Sequence, residues 1–189
     1  MSEIQLRPFD RTDFARLIAW SPSEEFLMQW AGPHFRFPLD EAQLEAYWQS
    51  TQGDAPIRRI FAVVDKETNA PIGHIELNNI DRRNRSATLA RVLIGEPAMR
   101  GKGIGAQMIE RALEIGFGEL GLHRIDLAVF DFNASAIACY ERLGFVKEGC
   151  LREARRVGNT YWSLYLMGIL ESEWRNVKRN TQHAIRNTQ

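Results

Sequence analysis

Thiols are scarce in this chain. Cys139 and Cys150 are its two cysteines, and neither stands in the paired spacing or beside the histidine cluster that a zinc site needs. A disulfide scaffold and a bound metal are therefore not expected, and a reducing cytoplasm is the expected location. Long apolar runs are missing too. No window approaches the ~20 apolar residues that cross a bilayer, and Met1 to Pro8 carries Glu3 and Arg7 where a secretory leader would be continuously apolar. An excess of one charge sign is also absent, because 24 Lys and Arg face 24 Asp and Glu. Such a chain lacks the broad positive field that binds nucleic acid or an anionic membrane surface, although a local basic cluster can still meet a small anion.

What is present reads as an ordinary folded domain. Hydrophobic residues make up 44% and charged residues 25% of the 189 positions, which suits one folded domain and argues against disorder; its order of strands and helices makes it α/β. Ile4 to Arg7 alternates as a strand, and Asp10 precedes a helical run with Phe14, Leu17 and Ile18. Ser21-Pro22-Ser23 breaks that helix. A second helix carries Phe26, Leu27 and Trp30 up to Gly32-Pro33, and a third spans Leu39-Asp40 to Gln49. The aromatics of this region, Phe26 to Trp48, are either core or the wall of a substrate pocket. Glu24, Glu25 and Glu41 are either ordinary helix-surface charges or a lure for a cation.

Three strands come next, Ile60 to Asp65, Pro71 to Asn79 and Ala87 to Ile94, and their short polar connections make them antiparallel neighbours. From Gly105 to Leu120 apolar residues recur at steps of three and four, the pattern of an amphipathic helix of about five turns. Arg124 to Phe130 is a further strand. Asn133 is placed to cap a helix from Ala134 to Leu143, ended by Gly144. Val146 to Arg155 and Tyr161 to Leu170 flank a Gly158-Asn159 hairpin turn. The predicted order is β-α-α-α-β-β-β-α-β-α-β-β over residues 1–173, with 174–189 a polar, loosely held tail.

The sharpest local feature is Arg100-Gly101-Lys102-Gly103-Ile104-Gly105, between a strand and the strongest helix. Glycines let backbone amides approach a ligand, and the free N–H groups of a first helical turn suit a phosphate. Taken alone, such glycines are equally a capping device. A Walker loop is excluded, since Glu96 stands where its first glycine belongs and Gly103 follows Lys102 where a hydroxyl is needed. A dinucleotide fingerprint fits poorly, because Gly95 to Arg100 separates the glycines from the strand and Asp126 falls inside a strand rather than at its end.

The spacing Arg100-x-x-Gly103-x-Gly105 resembles the acyl-CoA pyrophosphate loop of the GNAT N-acyltransferase superfamily. Thirty residues after Gly103, Asn133-Ala134-Ser135-Ala136-Ile137-Ala138-Cys139-Tyr140-Glu141-Arg142-Leu143-Gly144-Phe145 resembles its second hallmark, Asn-x-x-Ala-x-x-x-Tyr-x-x-x-Gly-Phe. The resemblance covers roughly Leu6 to Leu170. Within the superfamily, Leu6-Arg7-Pro8-Phe9, Gly149 to Glu153 and Tyr161 to Leu170 look like the branch of ribosomal-protein alanine and spermidine acetyltransferases.

The resemblance implies the GNAT fold, a mixed, mostly antiparallel, splayed sheet flanked by helices. It implies acetyl-CoA as cosubstrate, held along Leu93, Ile94, Arg100, Gly101, Lys102, Gly103, Ile104, Gly105, Asn133 and Tyr140, and direct attack by a primary amine. The acceptor is a small-molecule amine, such as a polyamine or aminoglycoside, or a peptide N-terminus. Tyr140 matches the position whose phenol serves the departing thiolate as acid, and Cys139 reads as an apolar filler. Many relatives carry a glutamate on the strand before the loop, but Ala87 to Ile94 contains no acid. His74, Glu76 and Asn78 share one face of the preceding strand, so Glu76 or His74 is a candidate proton acceptor through water. That face can equally be a solvent-facing one, and a backbone carbonyl near Leu93 would also serve. A non-catalytic acyl-CoA sensor is the alternative function, and the late hairpin leaves a homodimer open.

Overall fold

The computed structural model describes residues 3–186. Its strands are β1 (Ile4–Pro8), β2 (Arg59–Asp65), β3 (Pro71–Asp81), β4 (Ser86–Ile94), β5 (Arg124–Phe130), β6 (Val146–Val157) and β7 (Thr160–Leu170). They form one sheet in the order β1-β2-β3-β4-β5-β7-β6. The short links between β2, β3 and β4 impose antiparallel pairing, as expected. β4 and β5 are parallel, and they pair over only Ser86↔Arg124, Ala87↔Ile125 and Thr88↔Asp126. Beyond that point the two strands part, so the sheet is mixed, mostly antiparallel and splayed at its middle.

Helices cover both faces. On one, α4 (Ile104–Leu113) buries Ile104, Met108, Ile109, Ala112 and Leu113, then continues as a π-helical turn over Glu114–Glu119. These side chains pack with Ile75, Leu77, Leu89, Ile125 and Leu127, and α5 (Ala134–Arg142) adds Ile137 and Tyr140. On the other face, α1 (Phe14–Ala19), α2 (Glu24–Ala31) and α3 (Glu41–Gln49) bury Phe14, Leu17, Leu27, Leu44 and Tyr47 with Ile60 and Leu93. Local sequence sets their starts, since Ser23 Oγ accepts from Phe26 N–H at 3.1 Å and Asp40 Oδ1 from Gln43 N–H at 2.8 Å.

The expected loose tail takes a different form. Residues from Glu171 to Arg186 make helix α6, tied down by the Trp174 ring 5.2 Å from that of Phe117 and by Lys178 Nζ 2.6 Å from Glu114. One aromatic at the right turn anchors a segment whose overall polarity hides the attachment. Residues 187–189 lie outside the described range.

A bulge in β4 decides which of its side chains reach which face of the sheet. The register steps from His74↔Leu93 to Glu76↔Ala90, so β4 spends one residue more than β3, and Arg91 sits there at φ 51. An extra residue inverts the alternation of side chains. Ala87 and Leu89 face the α4 side, as do Val92 and Ile94. Leu93 instead joins the α1–α3 core, and the Arg91 guanidinium lies 5.5 Å and 5.8 Å from the rings of Tyr47 and Phe35. Two features hold the bulge. His74 Nδ1 stands 3.1 Å from the Arg91 carbonyl, to which it donates. Gly73 lets β4 come close, because a Cβ there would lie 2.4 Å from the Leu93 oxygen.

The His74, Glu76, Asn78 face is not solvent-facing. Helix α3 covers it, leaving His74 and Glu76 buried. The Glu76 carboxylate accepts from the Arg91 guanidinium and from the Tyr47 hydroxyl. Arg58 Nε stands 3.8 Å from Glu76 and donates to Asn78 Oδ1 at 3.0 Å. Burial, with the Arg91 charge adding to it against the opposing hydrogen bond, pushes the His74 pKa down to about 3. The unfolded imidazole takes its proton near pH 6.5, so the unfolded state binds more protons in between. Stability from this group is complete above pH 6.5 and is lost as pH falls. Between pH 6.5 and 4.5 it contributes a slope of up to about 1.4 kcal/mol per pH unit. Denaturant unfolding across that window should show this loss, and His74→Gln should flatten it; an unchanged slope in the variant would contradict a neutral, buried His74.

Candidate active site

Where β4 leaves β5, the edges Leu89 to Ile94 and Leu127 to Phe130 have no strand between them. Each presents backbone N–H and C=O groups that need partners, and a ligand with amides along an extended arm can supply them. A cavity of about 810 Å³ occupies this gap, lined by Leu89 to Ile94 and Ala128 to Phe130. Its mouth meets the glycine turn.

That turn rests on two left-handed residues. Gly101 at φ 74 and Gly103 at φ 78 adopt conformations that side chains strain, although a Cβ at either would touch nothing within 4 Å. Backbone geometry, not crowding, requires glycine here. Gly103 is the N-cap of α4 and offers no side-chain cap, so the first-turn N–H groups stay available, with the positive end of the helix dipole behind them. Arg100 Nε reaches back to the Ile94 carbonyl at 3.3 Å. On the far side Asn133 caps α5, its Oδ1 3.3 Å from Ala136 N–H.

Of the residues expected at the donor site, Leu93, Ile94, Arg100, Gly101, Gly103, Gly105, Asn133 and Tyr140 line the cavity. Lys102 is exposed and Ile104 is buried in the core, so neither side chain forms the wall. Tyr140 is 8% exposed, its ring 5.7 Å from that of Phe145. Burial raises its pKa above the usual phenol value, keeping the hydroxyl protonated at neutral pH. Burial also raises the Cys139 thiol, which suits the filler reading.

Glu76 does not line the cavity, whereas Arg91 and Asn78 do. Its carboxylate is engaged by Arg91 and Tyr47 behind the wall. Sequence reasoning missed Arg91, although a single charge in the apolar strand Ala87–Ile94 was a readable signal. The early aromatics divide: Tyr47 and Phe35 belong to the core, while Phe26 and Trp30 line the cavity. Glu24, Glu25 and Glu41 are exposed in the first turns of α2 and α3 and do not line it. Arg142 and Arg155 do.

Residues 3–146 match the acetyltransferase (GNAT) domain. The spermidine N(1)-acetyltransferase of Vibrio cholerae is 32% identical over 176 residues, covering 93% of this chain and 97% of that protein. A putative ribosomal N-acetyltransferase of Bacillus subtilis is 31% identical over 106 residues, 56% of this chain and 57% of that protein. Among solved structures, the Vibrio cholerae spermidine N-acetyltransferase in complex with CoA and spermine superposes with a TM-score of 0.79 at 31% identity, covering 90% of this chain and 97% of that one. The splayed sheet, the glycine turn and these likenesses agree: the chain belongs to the GNAT acetyltransferase family and is an N-acetyltransferase.

Proposed function

We propose that the gap between β4 and β5 is the acetyl-CoA site, with the diphosphate at the Arg100–Gly105 turn and the acceptor amine entering from the α1–α3 side. The open strand edges carry this reading, because beyond Thr88 and Asp126 β4 and β5 no longer pair with each other among the described residues and suit an arm that bears amides. Acetyl-CoA supplies the acetyl group, activated as a thioester. Backbone N–H groups from Gly103 to Ala106 would hold the phosphates, with Arg100 and Arg142 adding charge. Leu93 and Ile94 border the arm, and Asn133 joins capping to cofactor contact.

The acceptor must present a neutral amine. Attack forms the C–N bond and breaks the C–S bond, so one proton leaves nitrogen and one must reach sulfur. Tyr140 Oη, protonated by its burial, gives the proton to sulfur. Glu76 lies behind the wall, held by Arg91 and Tyr47, so its part is to position Arg91. The amine proton passes to water in the open cavity.

Tyr140→Phe should slow turnover by about 100-fold, with acetyl-CoA affinity within twofold; unchanged turnover would remove Tyr140 from the acid role. Gly103→Val strains the φ 78 backbone and should weaken acetyl-CoA binding by roughly tenfold or more, the scale of 1.4 kcal/mol. Normal affinity would count against the loop. Thiol release with a broad set of amines tests the enzyme reading itself. Tight acetyl-CoA binding with no release from any amine would favour the sensor.

A further inference from the structure

The charge at the acceptor end is one-sided. Among the described residues no Asp or Glu lines the cavity, whereas Arg91, Arg100, Arg142 and Arg155 do. Arg100 and Arg142 belong with the turn and α5, the donor end. Arg91 faces the opposite side of the sheet, beside the ring of Phe35 and that of Tyr47 on α3, because the bulge sends it there. Its buried surroundings hold two guanidiniums, Arg91 and Arg58, against one carboxylate, Glu76. His34, next to them, has its pKa pushed down to about 4 by burial and then by Arg91 and Arg58, and His74 is likewise neutral at pH 7. One positive charge is left over in a poorly hydrated place, where an uncompensated charge is costly.

The hydrogen-bond inventory points the same way. Arg91 Nε and Trp30 Nε1 are buried N–H groups without a partner among the described residues, and both residues line the cavity. Arg155 lies on the β5–β7 side, near Phe130 and Leu164, and donates to its neighbour Ala154 O at 2.8 Å. No ion pair is formed by it among the described residues. This end therefore offers donors and positive charge and lacks acids. An ammonium group brings neither acceptor nor negative charge, so a polycation finds nothing here to pair with, while a carboxylate satisfies both needs.

Resting on the N-acetyltransferase reading, we propose that the preferred acceptor is a primary amine that itself carries a carboxylate, of the free amino-acid type, recognised by Arg91 and Arg155 with Trp30, and that polyamines are disfavoured. The relative solved with CoA and spermine shares the fold with this chain, and the charge of the acceptor wall is where specificity is set.

The test is thiol release from acetyl-CoA by the intact protein with three sets of acceptors: free amino acids, the same amino acids as C-terminal amides, and spermidine with spermine. The best free amino acid should exceed its own amide by about 100-fold in kcat/KM, in line with a charge-assisted pair left unmade, and should exceed spermidine. Arg155→Glu should cut the acid-to-amide ratio by about tenfold or more, whereas a merely structural defect lowers both alike. Equal use of acid and amide, or preference for spermidine, overturns the inference while leaving the N-acetyltransferase reading intact. If none of the three sets turns over, calorimetry with CoA-loaded protein decides: binding of N-acetyl amino acids over N-acetylspermidine supports the inference, and its absence overturns it. Acetylation of other amines, such as a peptide or an aminoglycoside, then reports separately on the enzyme reading.

Discussion

The hydrogen bond from His74 to the Arg91 carbonyl fixes one surplus residue in β4, and much of the site depends on that residue. A bulge bends and twists its strand, which fits the early parting of β4 from β5. It also inverts which side chains go where. Without it Arg91 would point into the α4 core beside Ile75 and Leu77; with it, Arg91 reaches Glu76 under α3, and Val92 and Ile94 take the apolar places. Gly73 is part of the same device, because any side chain there would push against the Leu93 carbonyl.

The two ends of the cavity use different physics. At the donor end, main-chain geometry does the binding: left-handed glycines and an uncapped helix start present N–H groups to a phosphate. At the acceptor end, side chains do it, set in a dry aromatic frame where charge acts at short range and with little screening. Tyr140 stands on α5 with the donor face, protonated by burial, so the thiolate meets its acid on the side from which CoA arrives.

Much of the fold was legible because it is local. The strand and helix order, the Asn133 cap and the Gly101 and Gly103 turn each rest on a few neighbouring residues whose conformational needs are written in their chemistry. What escaped is non-local. The bulge at Arg91 leaves no mark on the alternation within β4 that distinguishes it from an ordinary strand with one odd polar residue. The burial of His74 and Glu76 depends on α3 folding over β3 from about 25 residues away in sequence. Helix α6 is held by Trp174 meeting Phe117, a contact between distant segments that a polar composition conceals. Arg91 and Arg155 lay outside the expected site, and the acids thought able to attract a cation are surface charges.

The central claim is that the unpaired edges of β4 and β5, with the turn at Gly103, embrace the acyl-CoA. Amide hydrogen exchange with and without acetyl-CoA tests it most directly. Strong protection should appear along Leu89 to Ile94, Leu127 to Phe130 and Ile104 to Ala106. Protection confined to other segments, or exchange along these edges unchanged by saturating acetyl-CoA, would contradict the account.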